Sequence, residues 1–218
     1  MNKAFIFDMD GVLIDSERIW LAHDKRILDD LFTGEARIKM GNSIGLNIRG
    51  IHEKAARIGH PVDIKTLANE YGRVAPEVYE LSKITHDIDA LVERLIGWNF
   101  MLGVVSASPQ RDIAKVLTRI ATRKKFEVTV SLADRHDLQP KPSPDGYLEA
   151  LRELNADAKQ SFILEDSNYG IEAGKSAGCT VIGYRGNLID GYEQTGADEY
   201  ANTMDDVAEI VKKRATQP

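Results

Sequence analysis

The sequence of 218 residues is short of cysteine, of positive charge and of long apolar runs, and each shortage excludes a class of protein. The single cysteine, Cys179, excludes an intramolecular disulfide framework and is typical of a reducing cytoplasm. The net charge of −6 argues against nucleic acid or an anionic membrane as a partner. No apolar stretch is long enough to span a membrane, and Asp8 and Asp10 interrupt the first one too early for a signal peptide. We therefore expect a cytoplasmic protein.

The first apolar run ends in a pair of carboxylates. Residues 4–7, with the sequence AFIF, lead into Asp8, and Asp10 and Gly11 follow. An apolar run without alternation, closed by a glycine turn, predicts a strand that is buried on both faces. Carboxylates at the end of such a strand are costly unless something neutralises them, and their oxygens suit Mg²⁺. Because ligands bind at the carboxyl ends of strands in open α/β sheets, we predict a cation-dependent site here.

Residues 16–85 have helical periodicity and no clear strand pattern. Ser16 is the expected N-cap of the first helix, Gly34 its expected end, and Pro76 suits the first turn of the last helix. The glycine-rich segment 39–50 is a predicted loop. We predict helices over 16–32, 48–58, 64–71 and 76–81. The segment is thus interpreted as an inserted helical cap subdomain.

Strand and helix patterns alternate along the rest of the chain. The predicted strands cover residues 100–105, 126–130, 162–164 and 179–182, with amphipathic helices between them. Such alternation implies crossover connections, and hence a parallel sheet with helices on both faces. The predicted fold class is α/β, a Rossmann-like core from residues 1–15 and 86–218 plus the α-helical cap of residues 16–85.

Polar side chains recur just past the ends of the predicted strands, where a parallel sheet would bring them to one rim. They are the carboxylates of Asp8, Asp10, Glu165 and Asp166, the hydroxyl of Ser106 and, from a proline-rich loop, the ammonium group of Lys141. Taken singly, Ser106 could simply start a helix, and Lys141 could be a solvated surface lysine. Together they match phosphoryl transfer through a covalent aspartyl-phosphate, which needs a nucleophile, an acid/base, a metal cage and phosphate donors.

Four segments in order resemble the motifs of the haloacid dehalogenase-like (HAD) superfamily: DMDGVLIDS, VVSASP, KPSPDGYLEAL and FILEDSNYGIEAGKSAG. GVLIDSE and the paired Glu165 and Asp166 are similar to the β-phosphoglucomutase-like phosphatases, whose helical cap follows the first motif. The resemblance implies an Mg²⁺-dependent phosphatase. Its substrate would be a small phosphorylated metabolite, such as a sugar phosphate or a similar phosphate monoester.

The resemblance also assigns catalytic roles. Asp8 would attack the phosphorus atom, and Asp10 would protonate the leaving oxygen and then deprotonate the hydrolytic water. Ser106 and the backbone N–H of Ala107 would bind phosphoryl oxygens. Lys141 would pair with both the nucleophile and the phosphoryl group, which lowers the repulsion between two anions.

The same resemblance implies a set of Mg²⁺ ligands. They would be the Asp8 carboxylate, the main-chain carbonyl of Asp10 and the Asp166 carboxylate. Glu165 would be either a further ligand or a carboxylate that supports the ligands from behind.

The cap offers three candidates for substrate binding, Trp20, His23 and Arg49. The alternatives are packing within the cap for Trp20 and His23, and a solvated position for Arg49. β-Phosphoglucomutases have a histidine where this chain has Trp20, and their basic cap-loop residues are not reproduced at 40–44. These departures favour a phosphatase over a mutase.

Two rival functions remain open at this stage. One is a phosphosugar mutase of the β-phosphoglucomutase type, and the other is a non-catalytic module that binds a metabolite. Pro140 stands where family members usually have glycine, which we interpret as a local loop variant. Asp10 argues against a haloalkanoate dehalogenase, whose site lacks this acid/base. We expect a monomer, with a dimer as the alternative.

Overall fold

The computed structural model describes residues 1–41, 43 and 46–215. Asn42, Ile44 and Gly45 of the predicted cap loop, and residues 216–218, lie outside the described residues. The contacts within the chain divide it into two compact units, Met1–Asp15 with Lys83–Pro218 and Ser16–Ser82. Among the described helices, none has both the length and the apolar character needed to cross a membrane.

The first unit is built on a parallel sheet. Its strands are β1 (Lys3–Phe7), β2 (Ile14–Asp15), β3 (Lys83–Ile84), β4 (Phe100–Ser106), β5 (Phe126–Ser131), β6 (Phe162–Glu165), β7 (Thr180–Tyr184) and β8 (Glu199–Ala201). In the described part of the chain, six of them form one sheet in the order β5-β4-β1-β6-β7-β8, and β2 pairs with β3 separately. Strand β1 therefore lies in the middle, with Phe7 level with Val104 of β4 and Leu164 of β6.

Some helices flank the sheet of the first unit, and others make up the second unit. The second unit contains α1 (Glu17–Leu31), α2 (Gly34–Met40), α3 (Ile48–Arg57) and α4 (Ile64–Leu81); the first contains α5 (Ile88–Gly97), α6 (Gln110–Leu117), α7 (Asp145–Glu153), α8 (Asn168–Ser176) and α9 (Met204–Ala215). Helices α7 and α8 pack together, as do α5 and α9. The predicted α/β class is confirmed.

Strand β1 is buried on both faces because its residues alternate between two apolar clusters. Ala4 and Ile6 belong to the core cluster beneath α7, where they meet Tyr147. Phe5 and Phe7 point to the opposite face, with their ring centroids 4.7 Å apart. Burying an aromatic side chain of this size stabilises the fold by about 1.5–3 kcal/mol. The centre of the sheet thus fixes the position of the polar residues that follow β1.

The second unit departs from the prediction at Gly34 and at Pro76. Gly34 begins α2, whereas we had expected it only to end the first helix and had predicted no helix there. Ala36 and Met40 lie one turn apart and are both buried in the apolar core of the second unit, which stabilises this short helix. Residues 39–40, assigned to a loop from their sequence, thus belong to α2.

Pro76 does not start a helix but lies inside α4, which runs unbroken through Ile64–Leu81. Proline within a helix costs about 3 kcal/mol because a hydrogen bond is lost. Leu67, Val74 and Val78 lie on one buried face that continues across Pro76. Their burial outweighs the local preference of proline for a helix start.

Three of the described strands were not predicted, namely β2, β3 and β8. Strand β3 falls within the segment that we expected to be wholly helical, and it pairs antiparallel with β2. Strand β8 pairs with β7 at the edge of the sheet. Two or three residues are too few for a periodic pattern, so only their partners reveal such strands.

We expect Gly174→Ala to destabilise the protein, because α8 packs closely on the sheet at this glycine. A Cβ atom there would lie 2.8 Å from Val181 Cγ2 and 3.0 Å from Ile163 Cδ1. Overpacking of this kind lowers the free energy of unfolding by about 1–3 kcal/mol. Urea denaturation measures the loss.

Gly97→Ala in α5 is the matched control, because a Cβ atom there meets nothing within 4 Å. Its free energy of unfolding should stay the same or rise by up to about 1 kcal/mol. Equal effects of the two substitutions would contradict close packing at Gly174.

Candidate active site

The sheet brings three chain segments together at one edge. Asp8 follows β1 directly, Ser106 ends β4 and Glu165 ends β6. Because β1 lies between β4 and β6 and all three strands are parallel, their carboxyl ends are neighbours. Lys141 reaches the same point from the loop before α7, where its peptide bond to Pro142 is cis.

The Lys141 ammonium group lies at the centre of this arrangement. Its Nζ atom donates to Asp8 Oδ1 and to Glu165 Oε1, the latter at 2.5 Å. A third, longer contact of 3.4 Å reaches the carbonyl oxygen of Val105, and the Tyr147 ring centroid is 5.2 Å away. The residue is only 8% exposed. The structure thus excludes the alternative of a solvated surface lysine.

Burial and charge act in opposite directions on this group of residues. Burial raises the pKa of Asp8 well above its usual value; Lys141 offsets part of this rise, and Glu165 adds to it. Burial would lower the pKa of Lys141, but the Asp8 and Glu165 carboxylates raise it well above its usual value, so the amine stays protonated. One ammonium group therefore faces more buried carboxylate than it can neutralise, which favours a further cation.

Glu165 is fully buried, and hydrogen bonds already occupy both of its carboxylate oxygens. Besides Lys141, Tyr147 Oη donates to Oε1 at 2.6 Å. Ser167 donates to Oε2 through its backbone N–H at 3.1 Å and its hydroxyl at 3.0 Å. A metal ion would have to displace these donors. Two roles were predicted for Glu165, a metal ligand and a carboxylate that supports the ligands. The geometry supports the second role, in which Glu165 holds Lys141, and argues against direct ligation.

Asp166 lies against the turn that follows Asp10. A Cβ atom on Gly11 would be 2.0 Å from Asp166 Oδ2, and the Gly11 φ of +72° also favours glycine. Gln194 holds the backbone of the same segment, since its Nε2 donates to the carbonyl oxygens of Asp166 at 2.8 Å and Glu165 at 3.2 Å. The sequence offered no signal for Gln194, because its partners come from a distant strand end.

Asp10 and Ser106 are connected through Ser108, which we did not predict as a site residue from the sequence. Ser108 Oγ donates to Asp10 Oδ2 at 3.0 Å, and the Ser108 N–H donates to Ser106 Oγ at 3.0 Å. Ser106 is buried, and Ala107 between the two serines is exposed. The hydroxyl of Ser106 and the N–H of Ala107 are thus carried on a short loop beside Asp10.

The donor set fits Mg²⁺, although the described residues contain no preformed cage of three or more His, Cys, Asp or Glu side chains. Mg²⁺ is usually held by one or two carboxylates, with water and substrate phosphate in its other positions. Asp8 and Asp166 are buried carboxylates, so they are suitable donors. The residues predicted to bind the ion therefore match its chemistry.

Comparison with known proteins identifies the family. The family model for haloacid dehalogenase-like hydrolases matches residues 5–184. The chain is 32% identical over 200 residues to the phosphorylated carbohydrates phosphatase of Thermotoga maritima. The matched region covers 87% of this chain and 88% of the relative. The chain belongs to the haloacid dehalogenase-like hydrolase family. The family predicted from the four sequence motifs is confirmed.

Two further comparisons agree with this HAD assignment. Hexitol phosphatase B of Escherichia coli K12 is 29% identical over 179 residues, or 80% of this chain and 79% of the relative. A solved structure from Thermotoga maritima, provisionally assigned as a β-phosphoglucomutase, has a TM-score of 0.67 at 23% identity and covers 97% of this chain and 99% of that one. The relatives support the predicted enzyme class, so this HAD protein is a phosphoric monoester hydrolase.

The three residues predicted to bind substrate from the cap, Trp20, His23 and Arg49, all lie in the second unit of the HAD protein. The Trp20 ring centroid lies 6.0 Å from that of Tyr71, and Trp20 packs against the apolar core of the second unit, as the packing alternative predicts. His23 Nε2 is 3.8 Å from Glu77 Oε2. Arg49 is exposed on α3. Their part in substrate binding stays a prediction.

We expect Glu165→Gln to lower the free energy of unfolding by about 3 kcal/mol or more, because in either orientation its amide NH₂ would face a group that only donates, the Lys141 ammonium or the Ser167 N–H. The measurement is urea denaturation in the presence of EDTA, so that no divalent cation contributes.

Glu153→Gln, at an exposed position on α7, serves as the control and should change the stability by less than about 1 kcal/mol. If Glu165→Gln were as stable as this control in EDTA and lost only metal affinity, Glu165 would be a direct ligand instead.

Proposed function

We propose that this HAD protein is an Mg²⁺-dependent phosphatase of small phosphorylated carbohydrates or polyols, and that it works through a phosphorylated Asp8. The observation that carries the proposal is the buried contact of Lys141 with Asp8, at the end of the central strand. A carboxylate held against a buried ammonium group can approach an anionic phosphoryl group. The repulsion of two unit charges is about 1 kcal/mol in water and severalfold larger when they are desolvated.

In the first step, an Asp8 carboxylate oxygen attacks phosphorus and forms a new O–P bond. The bond between phosphorus and the sugar oxygen breaks, and its electron pair stays on that oxygen. The protonated Asp10 carboxyl group gives its proton to the same oxygen, so the sugar leaves as a neutral alcohol. General acid catalysis of this kind contributes about 10²- to 10⁴-fold in rate.

In the second step, a water molecule attacks the phosphorus of the aspartyl-phosphate. Asp10, now a carboxylate, takes a proton from this water. The bond between Asp8 and phosphorus breaks, which releases inorganic phosphate and restores the Asp8 carboxylate. Asp10 ends the cycle protonated, ready for the next substrate.

The remaining residues of the site bind and orient the phosphoryl group. The Ser106 hydroxyl and the Ala107 N–H would donate to its oxygens, and Lys141 would pair with it. Asp8, Asp166 and the Asp10 carbonyl would hold Mg²⁺, which when bound supplies positive charge to the phosphoryl oxygens. Trp20, His23 and Arg49 are our candidates for contacts with the organic part of the substrate.

The names of two relatives support the proposed substrate class. One is a phosphatase of phosphorylated carbohydrates and the other a hexitol phosphatase. The single cysteine supports our further proposal that the enzyme works in the cytoplasm.

We expect the wild-type protein to release phosphate from 4-nitrophenyl phosphate and from a subset of hexose, hexitol and glycerol phosphates. EDTA should abolish the release, and added Mg²⁺ should restore it. Asp8→Asn should lower the rate by at least about 10⁴-fold, because an amide cannot act as the nucleophile. Phosphate release across the panel is the measurement.

Asp205→Asn, an exposed carboxylate outside the site, should retain full activity. Equal release by wild type and Asp8→Asn would refute the proposal. A rearranged sugar phosphate that keeps its phosphate and forms only with a bisphosphate primer would identify the mutase instead.

A further inference from the structure

Ser108 contacts the acid/base directly, although neither the family resemblance nor the proposed mechanism uses it. Its Oγ atom donates to Asp10 Oδ2 at 3.0 Å across 98 positions of sequence. Its N–H donates to Ser106 Oγ at 3.0 Å. One residue therefore touches both the acid/base and the serine proposed to bind phosphate.

The backbone around Ser108 is held by the neighbouring strand. The carbonyl oxygen of Ser108 accepts a hydrogen bond of 2.8 Å from the hydroxyl of Ser131, the last residue of β5. Ser131 Oγ in turn accepts the N–H of Asp134 at 3.1 Å, and Asp134 Oδ2 accepts the N–H of Gln110 at 2.7 Å. These bonds connect the loop to β5 on one side and to the start of α6 on the other, so they hold the backbone that carries the Ser108 hydroxyl.

A hydrogen bond to one carboxyl oxygen selects where the proton of an acid resides. As long as Ser108 donates to Oδ2 of Asp10, that oxygen is an acceptor, and the proton of a neutral Asp10 belongs on Oδ1. The same bond restrains rotation of the carboxyl group. An acid must hold its proton within hydrogen-bond reach of the leaving oxygen, so both effects bear on the rate of proton transfer.

We propose that Ser108 is a positioning residue that orients the Asp10 carboxyl group for protonation of the leaving oxygen. The proposal rests on the proposed function, in which Asp10 is the acid. It makes the contribution of Ser108 depend on the leaving group. A sugar or polyol alkoxide needs the proton as the O–P bond breaks, whereas a nitrophenolate ion leaves with little help.

The test compares Ser108→Ala with wild type on two substrates, 4-nitrophenyl phosphate and the best alkyl phosphate of the panel. We expect kcat/KM for the alkyl phosphate to fall by about 10-fold or more, and that for the aryl phosphate by less than about 3-fold. The ratio kcat/KM is suitable because it reports the steps up to departure of the leaving group, before hydrolysis of the aspartyl-phosphate. Ser108→Thr, which keeps the hydroxyl, should restore most of the alkyl phosphatase activity.

A double-mutant cycle with Asp10→Asn tests whether Ser108 acts through Asp10. In the Asp10→Asn background, adding Ser108→Ala should change kcat/KM for the alkyl phosphate by less than about 2-fold. Thr118→Val removes a hydroxyl from the other end of α6, where it bonds the Lys115 carbonyl, and should leave both substrates unaffected. Thermal unfolding of each variant identifies any loss of folded protein.

Equal losses on both substrates, or an undiminished loss in the Asp10→Asn background, would overturn the role of Ser108 while leaving the phosphatase intact. Failure of the proposed function has a different signature, since wild type would then be no more active than Asp8→Asn.

Discussion

The position of one buried ammonium group constrains the whole site. Lys141 is only 8% exposed and contacts the carboxylates of Asp8 and Glu165, which arrive on different strands. Removing an ion from water costs several kcal/mol, and only good geometry with further hydrogen bonds returns that free energy. Glu165 meets this condition through Tyr147 and Ser167, and burial together with Glu165 raises the pKa of Tyr147 well above its usual value, so its hydroxyl keeps its proton and donates. Among the described residues, the side-chain donor to Asp8 is Lys141, which agrees with the nucleophilic role proposed for Asp8.

The crowding of carboxylates also explains residues with no chemistry of their own. A Cβ atom on Gly170 would lie 1.8 Å from Glu165 Oε1, so helix α8 can cover this carboxylate only with glycine at that position. Gly11 makes the same allowance for Asp166. Gln194 holds the main chain at the end of β6, although it comes from the loop between β7 and β8. The positions of the carboxylates and the packing of the segments around them thus depend on the same close contacts at these glycines.

The sequence was informative where chemistry is local and uninformative where it depends on distant partners. The apolar run before Asp8 predicted a buried strand, and the order of four motifs predicted that Ser106 and Lys141 would join it. Ser108 was not predicted as a site residue, because its partner, Asp10, is 98 residues away in the sequence. Pro76 misled for the opposite reason, since a strong local preference was overruled by a buried helix face. Strands β2, β3 and β8 were missed because a short strand is defined by its partner and not by its own pattern.

The central claim is that Asp8 becomes phosphorylated, and chemical trapping of that intermediate tests it most directly. Asp10→Asn should still accept phosphate from 4-nitrophenyl phosphate, whose leaving group needs little protonation, but should hydrolyse the intermediate slowly without its base. After acid quenching and proteolysis, mass spectrometry should find stoichiometric phosphate on the peptide that contains Asp8, and none after the added substitution Asp8→Asn. Phosphate on another residue, or steady turnover with no phosphorylated enzyme in either variant, would contradict a mechanism through Asp8.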